Sequence, residues 1–277
     1  GKLPNAIMAE ITEAGVVPNT NTDVDGSIHV NGQLVDGHFN SGGHALGSFE
    51  VKQVDTGEGA GHLIAGFVVG GKFYAGDLNT DYGTLHAEVA TENGVSKIVY
   101  SFILPEPGTK EAANLDALDA GQREKLFDNL KVGVYDSAHE SLVNGGANAD
   151  GSFNINTGNS NLIPTQDVDV YVKGTNDRPV FTDENGDVIA AVVTDANGKT
   201  FTKITSDQTS EGVLQEDGSH TLSGNLSAHD PDKSHGDAAG NLSYSIESGG
   251  KLVQIIEGKY GILKLNQDGS YTYEITK

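Results

Sequence analysis

Cysteine and tryptophan are absent from the 277 residues, methionine occurs once, and Lys and Arg together number 17. Without cysteine the chain can form neither a disulfide nor a thiolate-ligated zinc site. Without tryptophan, and with only 6% aromatics, it is poorly equipped to stack sugars in a glycosidase cleft. Against the 17 cations stand 39 Asp and Glu, a formal net charge of −22. Phosphate backbones repel such a chain, so nucleic acid is not an expected partner. No run reaches the roughly 20 apolar residues of a membrane helix, and stretches such as Leu63 to Val69 have strand length, so no membrane insertion is expected. No Gly-x-Ser-x-Gly, His-Glu-x-x-His or phosphate-loop motif occurs, and the chain is read as not an enzyme. The opening Gly1-Lys2-Leu3-Pro4 lacks a signal-peptide pattern, and the chain reads as a piece of something longer.

What is present is glycine and alternation. Thirty-seven glycines and 36% hydrophobic residues suit short strands joined by many turns. Val168, Val170 and Val172 fall on one face of an extended run, with Asp169 and Tyr171 on the other. Comparable runs span residues 27–30, 47–51, 62–69, 97–103, 130–135, 188–193, 221–226, 242–246, 252–256, 261–265 and 270–275. Asp-Gly, Asn-Gly and Gly-Gly pairs punctuate them as hairpin turns require. The one helical signal, Glu111 to Leu130, is interrupted by Gly121 and predicts one or two turns. The expected class is all-β, built as sandwiches.

Three pairs of segments recur in the same order. Ile11-Thr-Glu13-Ala-Gly15 matches Leu214-Gln-Glu216-Asp-Gly218, Leu46-Gly-Ser-Phe matches Leu222-Ser-Gly-Asn, and Tyr82-Gly-Thr-Leu85 matches Tyr260-Gly-Ile-Leu263. They imply two copies of one strand-based unit. Gly174-Thr-Asn-Asp-Arg-Pro179 is the boundary, too short for a flexible tether. The expected domains are 1–174, with a loop-rich insertion, and 175–277, which reads as truncated at its C-terminus.

The acids cluster with Asn and Gly at turns, as ligands of a hard cation do. If the chain enters each sandwich at one end and leaves at the other, the boundary collects Asn176, Asp177, Asp230 and Asp232, with Glu13 and Asp119 from unit 1. Six oxygen-bearing side chains suit Ca2+, which takes about 6–8 oxygens. Asp23/Asp25 and Asp183/Asp187 read first as ordinary turns, and Asp268-Gly269 as a plain hairpin.

Asn176-Asp177-Arg178-Pro179-Val180-Phe181 resembles the linker of cadherin repeats. Ala228-His-Asp230-Pro-Asp232, followed by Gly240-Asn-Leu-Ser-Tyr244-Ser-Ile246, resembles the cadherin Ala-x-Asp-x-Asp loop and the strand after it. Leu118-Asp119 resembles the Leu-Asp half of Leu-Asp-Arg-Glu, with Ala120-Gly121 in place of the rest. The closing Val170-Tyr-Val-Lys-Gly174-Thr-Asn-Asp is similar to the bacterial cadherin-like repeats labelled VCBS, found in tandem in RTX-type surface adhesins. The resemblance covers most of residues 8–277. It implies two tandem Ig-like, cadherin-like Greek-key β-sandwich domains. It also implies a calcium-stiffened, non-catalytic extender at the bacterial cell surface, whose partners are neighbouring repeats and a surface glycan or protein ligand. The implied metal ligands are Glu13, Asp119, Asn176, Asp177, Asp230 and Asp232, with Asp136 as a seventh.

Two other readings stand beside this one. Loops in 19–76 could form a carbohydrate- or peptide-binding face of the same adhesin. His29, His38, His44 and His62 could suggest a transition metal, but no pair has helical ligand spacing, and exposed loop histidines are expected.

Overall fold

The computed structural model describes residues 7–16, 23–39, 42–51, 63–137, 143–144, 147–155, 165–177, 180–181, 190–194, 200–204, 220–232 and 242–276. The chain divides into two compact units, one of Gly1–Gly15 and Asp23–Thr175, the other of Val16–Thr22 and Asn176–Lys277. The architecture is all-β, with one helix among the described residues. No described helix is long and apolar enough to cross a membrane.

In the first unit, β1 (Ile7–Thr12) is followed by the two-residue strands β2 (Gly15–Val16) and β3 (Asp23–Val24). Then come β4 (Gly26–Val30), β5 (Gln33–Phe39), β6 (Gly43–Val51), β7 (Leu63–Val69), β8 (Lys72–Ala75), β9 (Asp77–Thr80), β10 (Gly83–Glu92) and β11 (Val95–Ile103). After α1 (Lys110–Asp116) follow β12 (Arg123–Lys125), β13 (Lys131–Asp136), β14 (Val143–Asn144), β15 (Phe153–Ile155) and β16 (Thr165–Lys173). One sheet runs β14-β15-β8-β7-β13-β16-β1-β4-β5, with β12 also on β16, and a second runs β6-β11-β10-β9.

Alternation explains how the two sheets pack. Val168, Val170 and Val172 of β16 are buried beside Ala9 and Ile11 of β1. On the outer face Lys125 reaches Asp169 at 2.6 Å, and the Arg123 guanidinium lies 3.6 Å over the Tyr171 ring. Leu46, Leu78, Leu85, Ile98, Tyr100 and Phe102 of the second sheet join the same apolar cluster, which closes the sandwich. The β10–β11 hairpin turns through Asn93 (φ 52°) and Gly94 (φ 78°), the left-handed pair that a two-residue hairpin needs.

The helix matches the expected one or two turns. Thr109 caps it, its hydroxyl accepting from the Ala112 amide at 3.2 Å. Leu115, and Leu118 just beyond, anchor it in the core. Two expectations are corrected. Residues 242–245 are not strand; extended pairing begins at Ile246, and the Tyr244 carbonyl is taken by Gln254 Nε2 at 2.9 Å. His29 and His44 do not lie in exposed loops but half-buried in β4 and β6, with His44 Nδ1 2.7 Å from Asp36 Oδ2. The His38 side chain and His62 lie outside the described residues.

The second unit comprises β17 (Val180–Phe181), β18 (Ala190–Thr194), β19 (Thr200–Ile204), β20 (Thr221–Asn225), β21 (Ala228–His229), β22 (Ile246–Ser248), β23 (Lys251–Val253), β24 (Ile255–Glu257), β25 (Gly261–Leu265) and β26 (Ser270–Ile275). Its main described sheet runs β20-β26-β25-β24. That order repeats β6-β11-β10-β9 strand for strand. Leu85 pairs with Phe102, and Leu263 with Tyr273. Gly47 faces Tyr100, and Gly224 faces Tyr271. The segment match on Leu46 and Leu222 is therefore one residue out of register here: in the sheets, Gly47 corresponds to Gly224.

Candidate metal centre

The placement of Glu13 follows from strand pairing. β1 and β16 run parallel, from Ile7 opposite Val168 to Thr12 opposite Lys173. Both strands therefore end at the same place, and the residue after β1 meets the residues after β16. The Glu13 amide donates to the Lys173 carbonyl at 3.1 Å. The Thr175 amide donates to Glu13 Oε1 at 2.7 Å, and the Thr175 hydroxyl to the Ala14 carbonyl at 3.1 Å. Glu13 is only 4% exposed. A carboxylate so buried is tolerated only with hydrogen-bond donors or a cation beside it.

The end of α1 supplies the next acid. Asp116 is the last helical residue, one after buried Leu115. Its side chain reaches solvent, yet the protein crowding its carboxyl raises its pKa above the ordinary aspartate value through desolvation. Glu13 and Asp116 share the wall of a cleft of about 210 Å3, floored by Leu104, Pro105, Ala112 and Leu115. After the helix, the Asp119 amide donates to Gln122 Oε1 at 3.1 Å.

Within the first unit, Glu13 and Asp116 each bring one carboxylate oxygen to within 4.8 Å of the other. Glu13 is buried and Asp116 exposed. Such a pair offers a metal ion two carboxylate ligands. Carboxylate oxygens match the ligand preference of an oxygen-seeking divalent cation rather than a soft one.

Asp177 is itself held in place. Its amide donates to Asp232 Oδ2 at 2.9 Å, and the Asp232 amide donates to Asp230 Oδ1 at 3.1 Å. Asp232 is 1% exposed. Pairing of β17 with β21, Val180 opposite His229, brings the Asp230-Pro231-Asp232 turn to the connector. Asn176 Nδ2 donates to the Asp177 carbonyl at 3.0 Å. Asn176, Asp177, Asp230 and Asp232 are thus linked by hydrogen bonds within the second unit.

The remaining candidates fall elsewhere. Asp119 sits on the turn after α1 and does not join Glu13 and Asp116. The register of β13 on β16 carries the Asp136 backbone beyond Thr165, to the end remote from Lys173, roughly 35 Å away at about 3.3 Å per residue. The Asp136 side chain lies outside the described residues, as do the Asp23 side chain, Asp183 and Asp187. Asp25 is exposed. The residue that sequence reasoning missed is Asp116. The signal for it is the doubled Leu115-Asp116 and Leu118-Asp119, three residues apart and so near one another on a helical surface.

Comparison with family models, curated proteins and solved structures finds no match to this chain.

Proposed function

We propose that this chain is a calcium-stiffened, non-catalytic segment of a bacterial cell-surface adhesin, working outside the cell among neighbouring cadherin-like repeats. The observation that carries this reading is the pairing of the Glu13 and Asp116 carboxylates in the first unit, where Glu13 also holds the Thr175 amide; in the second unit the Asp177 amide is held on Asp232. The cadherin-like motifs at 174–181 and 228–246 supply the biological setting.

The mechanism is electrostatic. Without an ion, the paired carboxylates repel one another. With Ca2+ they become ligands, and carbonyl oxygens and water complete the roughly 6–8 positions. Extracellular modules commonly bind calcium at about 10⁻⁴–10⁻³ M. Extracellular calcium fills such a site and cytosolic calcium does not, so the segment is exported loose and stiffens outside. Binding to the folded state alone also raises its stability.

Thermal unfolding in millimolar calcium and in excess chelator, at fixed ionic strength, tests the reading. Calcium should raise the midpoint by several degrees where sodium at equal ionic strength does not. An equal midpoint in calcium and sodium would reduce the acids to solvation and refute the proposal.

A further inference from the structure

We infer that the tip of the β4–β5 hairpin is a self-association surface, on which Leu34 and Val35 dock against the same residues of a second copy of this chain. The inference needs no ion and stands apart from the calcium reading.

The tip is apolar and bare. Leu34 is 60% exposed and Val35 54%, and Met8 beside the turn is exposed as well. The hairpin turns through Asn31 (φ 48°) and Gly32 (φ 79°). Asn31 is tied to Met8 by two bonds: the Met8 amide donates to Asn31 Oδ1 at 3.0 Å, and the Asn31 amide donates to the Met8 carbonyl at 2.8 Å. β5 ends its sheet, and among the described residues no strand pairs with its outer edge. Its register against β4 slips. His29 lies opposite Leu34 and Ile28 opposite Asp36, which leaves Val35 as an extra residue on β5. A bulge of this kind blunts an edge against ladder pairing with another chain. The tip therefore offers side chains rather than backbone. Contact between two identical tips closes on a pair and does not propagate.

Charge names the partner. A net charge of −22 keeps copies of this chain apart. Residues 26–49, which hold β4, β5 and most of β6, contain one formal charge, Asp36, where the chain's 20% of charged residues would place about five. Asp36 Oδ2 is turned to His44 Nδ1 at 2.7 Å. β5 and β6 are the terminal strands of the two sheets, so the cleared stretch runs along one side of the sandwich. A basic partner is drawn by carboxylates and gains nothing from their removal. A chain as acidic as this one is repelled by them, and at this side it meets none but Asp36. The surface is matched to another copy. A few apolar side chains fall short of the roughly 1,200–2,000 Å2 buried in a stable complex, so the pairing is reversible and shows at high concentration.

Sedimentation equilibrium of the full chain tests this, in chelator, from micromolar to millimolar protein and at low and high sodium chloride. Wild type should pass from monomer towards dimer as concentration rises, and further at high salt, which screens the remaining repulsion. The double variant Leu34→Glu/Val35→Glu should stay monomeric. The control Val95→Glu, which charges an exposed apolar residue at the β10–β11 hairpin, should associate as wild type does. If the double variant does not fold, Leu34→Glu alone carries the test. A wild type that is monomeric throughout, or a dimer that survives the double variant, overturns the inference. So does a dimer that salt weakens, which marks a charged contact. Slow amide exchange at Leu34 and Val35 in the dilute monomer also overturns it, because the chain's own residues would then cover the tip. Chelator is present throughout, so none of these outcomes decides the calcium reading.

Discussion

Replacing Asp116 by Asn should stabilise the protein in chelator and destabilise it, relative to wild type, in calcium. In chelator the substitution removes one charge that lies within 4.8 Å of a Glu13 carboxylate oxygen. At that separation two unit charges repel by about 1 kcal/mol in water-like surroundings and about 3.5 kcal/mol at an effective dielectric of 20. Asp116 is exposed, so the low figure applies, and the one neighbour gives about 1 kcal/mol. One kcal/mol moves the midpoint of a 150–250-residue protein by roughly 2–4 °C. The variant should therefore melt roughly 2–4 °C above wild type in chelator. In calcium it lacks a ligand. At about 10–100 times Kd, a bound ion contributes about 1.4–2.7 kcal/mol, and much of that is lost. Acidity supplies a further check. Partial desolvation of its carboxyl by the neighbouring protein holds the Asp116 pKa above the ordinary value, so the folded chain binds this proton more tightly than the unfolded one. The charge therefore costs stability above the folded pKa, and the cost fades as pH falls towards the unfolded value. The variant's advantage in chelator should shrink over the same range. Melting curves by circular dichroism in both buffers read all of this. A shift of the same sign in calcium and chelator, or none in either, refutes the reasoning.

Two further predictions concern the repeated sheet. A methyl on Gly47 would lie 2.7 Å from the Tyr100 hydroxyl and 2.9 Å from its ring, so Gly47→Ala should cost about 1–3 kcal/mol by overpacking. Adding Tyr100→Leu should recover part of that, and additive losses in a double-mutant cycle would count against the packing; Gly224→Ala against Tyr271 should behave alike. Tyr100 is fully buried, its hydroxyl has no hydrogen-bond partner among the described residues, and burial pushes its pKa up to about 12. Tyr100→Phe should then leave stability unchanged or raise it by about 1 kcal/mol, which urea titration would show; a loss beyond that figure would mean that the hydroxyl is bonded in solution.

The fold was legible where a single strand carries its own pattern. Val168, Val170 and Val172 alternate with polar neighbours, and β16 follows. β10 was missed because Gly83 and Ala87 stand where bulky residues would make the alternation plain, although Leu85 and Ala87 face the core. The glycine–tyrosine contacts recur in both units, but Leu46 and Leu222 were the louder match. The sheets align on Gly47 and Gly224, because the absence of a side chain is what admits the ring across the strand. A sequence match sees the large residue, and packing selects the small one.

The site was harder to read because its parts meet only through pairing. Thr175 and Glu13 are 162 residues apart. They touch because β1 lies parallel to β16, and nothing local in either segment specifies that. Spacing alone could collect acids near a boundary but could not rank them. Leu115-Asp116 and Leu118-Asp119 are equivalent as text. Helix phase separates them: α1 ends at Asp116, so this carboxylate stays on the helix beside Glu13. Asp119 falls on the turn, where its amide and carbonyl hold Gln122. Asp232 shows the same division in the second unit. One of its oxygens fixes the Asp177 amide, so that oxygen orients the connector. In a chain with 39 acids, carboxylates that position backbone and carboxylates that could face an ion differ only in the geometry around them.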